Sequence, residues 1–211
     1  DEFEGGLDYI LEPSGLKWQD FKKMDYIRGQ VKYRKYQERG FSTPTKKFEL
    51  YSTLLENWGY DPLPKFREPP ESPVSMPERH QQFPYILITG ARSPGFFHTE
   101  NRQIPWLREL HKDPVIEIHP ETAEKEGIKE GEWVIVESVR GKVRQRAKIY
   151  AGIHPKVVGA QHAWWFPEKK DPAHGWDESN INILTDNAFE TCDPAMGATS
   201  VRTLLCKIYP E

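Results

Sequence analysis

The chain has 211 residues, of which 37% are hydrophobic and 12% aromatic, and its 29 basic and 32 acidic side chains leave a formal net charge of −3. Charges so evenly interspersed provide no single-signed field for nucleic acid or an anionic membrane surface, and no apolar run approaches the roughly eighteen residues that a transmembrane helix needs. Two cysteines, Cys192 and Cys206, without any CxxC spacing, exclude a disulfide framework and a thiolate zinc or iron–sulfur motif.

Eighteen prolines and fifteen glycines predict short strands and many loops rather than a helical bundle. The chain opens at Asp1 without a methionine or a signal-peptide pattern, and is read as an excised part of a longer polypeptide. Residues 1–60 are polar, aromatic-rich and weakly periodic. Pro13-Ser14-Gly15 marks a turn, Trp18 to Met24 fits a short helix with Ser14 near its start, and Leu54-Leu55 carries a helical spacing toward Trp58-Gly59. Across 61–83 the prolines at 62, 64, 69, 70, 73 and 77 predict an extended linker or a surface strap, because proline lacks a backbone donor and favours polyproline conformation.

From Pro84 the pattern turns to strands: Tyr85–Thr89, Val115–His119, Trp133–Ser138, Lys142–Ile149, Val157–Gln161 and Ser200–Ile208. Pro120 to Glu126 reads as one helix, with proline in its first turn, acids early and Gly127 closing it. Val139-Arg140-Gly141-Lys142 reads as a tight hairpin turn. Cys206 falls in an apolar alternation and is expected to be a packed core thiol. The expected class is mainly β with short helices, a small closed barrel over 84–211.

The stretch of greatest interest is YILITGARSPGFFHTENR, residues 85–102. A buried strand ends at Thr89-Gly90 and opens into a loop carrying Arg92, Gly95, His98, Thr99, Asn101 and Arg102. Glycine allows close backbone approach, arginine offers a planar fork for phosphate, and hydroxyl and amide groups complete an anion cradle. The histidines form no HxH or HExxH spacing, so no protein-ligated metal is expected, and Ser93 and Ser138 lack the context of a nucleophile elbow.

These residues, taken with VIEIHPETAEKEGIKEGEWVIVESVRGKVRQRAKIYAGIHPKVVGAQ at 115–161, resemble the C-terminal pterin-dinucleotide-binding domain of the dimethyl sulfoxide reductase family of molybdenum and tungsten enzymes. The ordered landmarks are His119-Pro120, Ala123, Gly127-Ile128, Gly131-Glu132, Arg140-Gly141 and His154-Pro155. Downstream, Asn180-Ile181-Asn182-Ile183-Leu184-Thr185 and Asp193-Pro194 are similar to the family's Asn-x-Leu-Thr and Asp-Pro signatures. Upstream, Gly40 to Leu50 resembles the linker ahead of the domain, with Lys46 standing where glycine is usual. QHAWWFPE at 161–168 resembles the HGWW stretch of the polysulfide and thiosulfate reductase-like branch, with Ala163 in place of glycine.

The resemblance implies a double-psi β-barrel of the aspartate-decarboxylase-like type, with residues 1–60 ending a preceding region of a catalytic subunit. It implies molybdopterin guanine dinucleotide as cofactor, carrying molybdenum or tungsten in the full-length enzyme, and an iron–sulfur cluster only in an upstream domain. Partners would be the remaining domains of the subunit and an electron-transfer iron–sulfur subunit. No nucleic acid, no membrane span, no catalytic residue and no metal ligand are expected in this chain, which alone would perform no turnover. The compartment is left open between prokaryotic cytoplasm and periplasm. The cofactor-binding residues it points to are Thr89, Gly90, Ala91, Arg92, His98, Thr99, His162, Trp164 and Asn182; Trp165 and Phe166 are assigned to packing. Two alternatives stay open: a double-psi barrel used as a cofactor-free interaction module, and the cofactor domain of a non-redox enzyme of the acetylene hydratase type.

Overall fold

A computed structural model describes every residue except Asp1 and Gln30. The chain divides into two compact units, Asp1–Leu63 and Pro64–Glu211.

The described residues of the first unit form the α-helices α1 (Glu2–Leu11), α2 (Trp18–Phe21), α3 (Tyr36–Arg39) and α4 (Thr53–Asn57). The helix expected over Trp18 to Met24 is one turn long; Lys17 at its N-cap offers no side-chain bond, and the distant Asp8 carboxylate accepts the Trp18 N–H at 2.7 Å instead. Ser14 instead donates to the Leu11 carbonyl at 2.6 Å beside the preceding 3₁₀ turn. After Phe21 the main-chain bonds tighten to i→i−3 spacing, Lys23 to Asp20 and Met24 to Phe21, so the α-helix ends there. The Ser52 hydroxyl caps α4 by accepting the Leu55 N–H. Lys46 takes a left-handed φ of 60°, the conformation that suits the glycine usual at that place. None of the described residues in this unit is buried, so it has no core of its own.

The second unit is built around six strands: β1 (Tyr85–Ala91), β2 (Val115–Ile118), β3 (Trp133–Ser138), β4 (Gly141–Ile149), β5 (Val157–Gln161) and β6 (Leu204–Pro210). They close into a barrel in the order β1-β5-β2-β4-β3-β6. The pairs β1/β5 and β2/β4 are parallel and the others antiparallel, which fits the expected double-psi barrel with short helices. Alternation along the strands fills the interior with Leu87, Ile116, Ile118, Val134, Val136, Val143, Val158, Leu204 and Ile208. Cys206 is fully buried there, and burial pushes its thiol far up.

Five strands lie within two residues of their expected bounds; the sixth is displaced. Ser200 to Thr203 are not strand, since the Ser200 and Thr203 hydroxyls bond each other at 2.8 Å and the Val201 carbonyl is taken by Thr89. At its other end β6 runs on to Pro210, which faces Val134 on β3.

Helices α5 (Pro77–Gln82), α6 (Pro105–Leu110), α7 (Pro120–Glu126) and α8 (Trp176–Ser179) decorate the barrel. α7 has the expected bounds, with Gly127 at φ 69° and the His119 ring accepting the Glu121 N–H as its cap. The second His-Pro pair repeats the device, the His154 ring accepting from Lys156. Within the proline-rich stretch, Glu71 and Ser72 are buried, and Glu71 accepts the Leu205 N–H at 2.7 Å while pairing with Arg140 and Arg79. This part of the stretch is a strap held by ionic bonds.

Candidate functional site

The pairing directions make β1, β3 and β5 parallel to one another, so the loops that follow them leave the same end of the barrel. At that end β1 carries a bulge. Between Ile88 and Ala91 it advances three residues while β5 advances two, from Gly159 to Gln161. A bulge there kinks the strand and re-aims Thr89-Gly90-Ala91 and the loop beyond.

The segment after β5 is positioned from inside the barrel. Gln145 on β4 is fully buried, and its amide donates to the carbonyls of Gln161 (2.8 Å) and Ser179 (3.3 Å) while accepting the Gln161 N–H. The Gln161 side-chain oxygen in turn accepts from the Trp164 indole at 3.0 Å. Trp164 is thereby oriented edge to face with Phe96, ring centroids 5.7 Å apart, and the Arg102 guanidinium caps the corner the two rings form, 4.0 and 4.6 Å from their centroids. Arg102 is only 2% exposed. It donates to the carbonyls of Ala163 (3.0 Å), His98 (2.9 Å) and His162 (3.4 Å).

Among the described residues no carboxylate pairs with Arg102, and its Nη1 has no protein partner. Burial, with the nearby Arg108 charge, lowers its pKa to about 10. Arg102 and Ser93, whose Nη1 and hydroxyl are buried without a partner, both belong to the lining of one small cleft of about 10 Å³, together with Arg92, His98 and His162. In front of this arginine the two histidine rings meet, His98 Nδ1 lying 3.0 Å from His162 Nε2. His162 Nδ1 is 3.3 Å from the Ala91 carbonyl. Burial holds the His162 pKa below the usual imidazole range, opposed by the Ala91 bond and reinforced by His98, Arg92 and Arg102.

Of the nine residues singled out in the sequence, Ala91, Arg92, His98, His162 and Trp164 come together on this cleft. Arg92, His98 and Thr99 are exposed beside it, and the Thr99 carbonyl accepts the Trp165 indole N–H at 2.8 Å. Thr89 is committed to the fold, its hydroxyl and N–H both donating to the Val201 carbonyl. At Gly90 φ is not positive and a Cβ would meet nothing within 4 Å, so the fold makes no demand for glycine there. Asn182 lies on a separate 3₁₀ turn, Ile181–Ile183, exposed and outside the cleft lining. Ala163, in the place of the branch glycine, has φ 62°, and its carbonyl is held by Arg102.

The model of the family described as "Molydopterin dinucleotide binding domain" matches residues 85–204, more than half of the chain. This chain belongs to that family. Dopamine dehydroxylase of Eggerthella lenta is 41% identical over 174 residues, covering 81% of this chain and 17% of the relative. Acetylene hydratase of Syntrophotalea acetylenica is 32% identical over 211 residues, covering 96% and 29%. The solved structure of acetylene hydratase from Pelobacter acetylenicus superposes with a TM-score of 0.82 at 30% identity, covering 95% of this chain and 28% of that one. The chain thus spans less than a third of the length of these relatives.

The residues present fit a molybdopterin dinucleotide. A dinucleotide carries an anionic pyrophosphate, and the strand end offers a buried cation without a counter-charge, two orphaned polar atoms, an exposed arginine and a glycine with open space above it. Sequence reading of the molydopterin dinucleotide-binding domain missed the parts played by Arg102, Ser93 and Gln145. Arg102 sits within the motif, yet its role depends on Trp164 and Ala163, some sixty residues away. A surface concavity of about 740 Å³ between Arg67–Pro70 and the Asn187–Ser200 loop contains none of the nine residues.

Proposed function

We propose that the barrel end formed by Gly90, Arg92, His98 and Thr99, backed by Arg102 and His162, binds the pyrophosphate and adjoining pterin edge of a molybdopterin guanine dinucleotide. The supporting observation is the buried, uncompensated Arg102 behind an exposed arginine–histidine cluster. A cation removed from water is costly unless an anion or full hydrogen bonding offsets it, so this end of the fold favours an anionic ligand. Arg92 would supply a charge-assisted fork, His98 and the backbone at Gly90 short-range donors, and Asn182 an amide toward the heterocycle. The bound group, with its molybdenum or tungsten, supplies redox or oxygen-atom chemistry. This chain's residues bind and orient it.

The wider reading is of a chain working within a larger molybdopterin-dependent catalytic subunit, whose other domains hold the metal ligand and any iron–sulfur cluster, with an electron-transfer subunit as partner. Similarity to dopamine dehydroxylase supports a reductive enzyme. Similarity to acetylene hydratase over nearly the whole chain supports the non-redox alternative, in which the same domain serves a hydratase. Family membership favours either over a cofactor-free interaction module.

Calorimetric titration of the 211-residue chain with guanosine diphosphate and with purified pterin dinucleotide tests the site. Arg92→Ala is expected to weaken binding by about tenfold, the loss of one charge-assisted hydrogen-bonded contact. Equal affinity for wild type and Arg92→Ala would remove this strand end from the binding site.

A further inference from the structure

We propose that His162 and Arg102 are positioning residues that hold His98 in one tautomer, with Nδ1–H turned inward and Nε2 turned outward. The inference rests on the cofactor reading only for the identity of what Nε2 meets; the tautomer itself is a property of the chain.

The assignment follows from the order of the contacts. A main-chain carbonyl only accepts, so the approach of His162 Nδ1 to the Ala91 carbonyl puts the proton on Nδ1. Neutral His162 then presents Nε2 as a bare acceptor. His98 Nδ1, 3.0 Å away, must be the donor. The remaining nitrogen of His98, Nε2, is left outside the pair on an exposed residue. Free imidazole side chains favour the opposite tautomer, with the proton on Nε2, so both rings are held against their solution preference.

A proton added to the pair has one favourable place. On His162 Nε2 it would confront the Nδ1–H of His98; on His98 Nε2 it becomes a second donor facing outward, with the inner bond intact. Arg92 and Arg102 bear on His162, while Arg108 behind them is engaged with Glu168. Glu100 lies on the His98 loop, where its N–H closes a turn onto the Phe97 carbonyl, and the Phe97 ring packs edge-on against His98 at 4.6 Å. Neutral His98 therefore presents Nε2 as an acceptor, suited to a ring N–H of the ligand.

Arg102 supplies the geometry. Its Nη2 bonds the carbonyls of both histidines and its Nε the carbonyl of Ala163. Two of these three residues sit in the left-handed region, His98 at φ 51° and Ala163 at φ 62°. Such backbone persists only where its surroundings over-determine it, and here the fork of one buried guanidinium does so. A lysine would keep the charge but lacks the planar fork that reaches the three carbonyls from two separate nitrogens.

The test is imidazole ¹⁵N spectroscopy on the uniformly labelled 211-residue chain without ligand, from pH 5 to 8. In the wild type both neutral rings should report protonated Nδ1 and unprotonated Nε2. His162→Gln, whose side-chain oxygen can still accept from His98, should keep the His98 tautomer, whereas His162→Ala should return it to predominantly protonated Nε2. Arg102→Met and Arg102→Lys should mix the tautomers while the circular dichroism of the barrel is retained. If Arg102 variants fail to fold, the two His162 variants decide alone. A wild-type His98 with its proton on Nε2, or an unchanged His98 tautomer in His162→Ala, overturns the proposal. A locked tautomer in a chain that binds no guanosine diphosphate supports the positioning inference and counts instead against the cofactor reading.

Discussion

Arg140 and Arg102 are both partly or wholly withdrawn from water and both donate to main-chain carbonyls, yet their electrostatic settings are opposite. Arg140, in the β3–β4 hairpin, bonds the Leu184 carbonyl at 3.2 Å and pairs with Glu71 and with Asp186 at 3.1 Å. Burial alone would lower its pKa, but the two acids outweigh burial and raise it. Arg102 feels burial and the like charge of Arg108, with no acid to offset them, and its pKa falls to about 10. The first arginine completes the fold by tying the proline-rich strap to the hairpin. The second leaves the fold electrostatically incomplete at the barrel end proposed to take the dinucleotide.

Breaking the compensated cluster should cost the most stability. Glu71→Ala leaves Arg140 with one acidic partner and orphans the Leu205 N–H, and should destabilise the chain by about 3 kcal/mol in urea unfolding. Arg102→Met forfeits three carbonyl bonds but also removes an unpaired buried charge, so a loss of only about 1 kcal/mol is expected. Similar losses for the two variants would erase the distinction between them. Ala163→Gly relieves a left-handed alanine and should raise stability by about 0.5–1 kcal/mol, read in the same experiment.

The smallest effect is one of pH. The folded His162 pKa lies below its ordinary value near 6.5, so between the two the unfolded chain binds the extra proton. The contribution of His162 to stability is therefore full above about pH 6.5 and is lost as pH falls through that window toward the folded value. His162→Gln should flatten this part of the stability–pH curve; an unchanged slope would assign it to other groups.

These contrasts also mark what could be read from the sequence. The barrel strands were legible because apolar alternation and turn glycines are local, and α7 because proline, early acids and a closing glycine bracket it. The end of β6 was not, since Pro210 counts as strand only through its pairing with Val134 on β3. Arg92, His98 and His162 stood out in the sequence as candidate ligand residues, but the contact between the two histidines joins residues 64 positions apart. Glu71 was hidden among prolines, and its partners Arg140 and Leu205 lie on the far side of the sequence. Lys46 and Ala163 were visible as substitutions of glycine; the structure adds that both sit at positive φ.

The most direct test of the account is an amide chemical-shift titration of the labelled 211-residue chain with guanosine diphosphate. The account predicts saturable shifts at Gly90, Arg92, His98, Thr99 and His162, with the Arg140 hairpin unmoved. Shifts confined to the Asn187–Ser200 concavity or to the hairpin would contradict it.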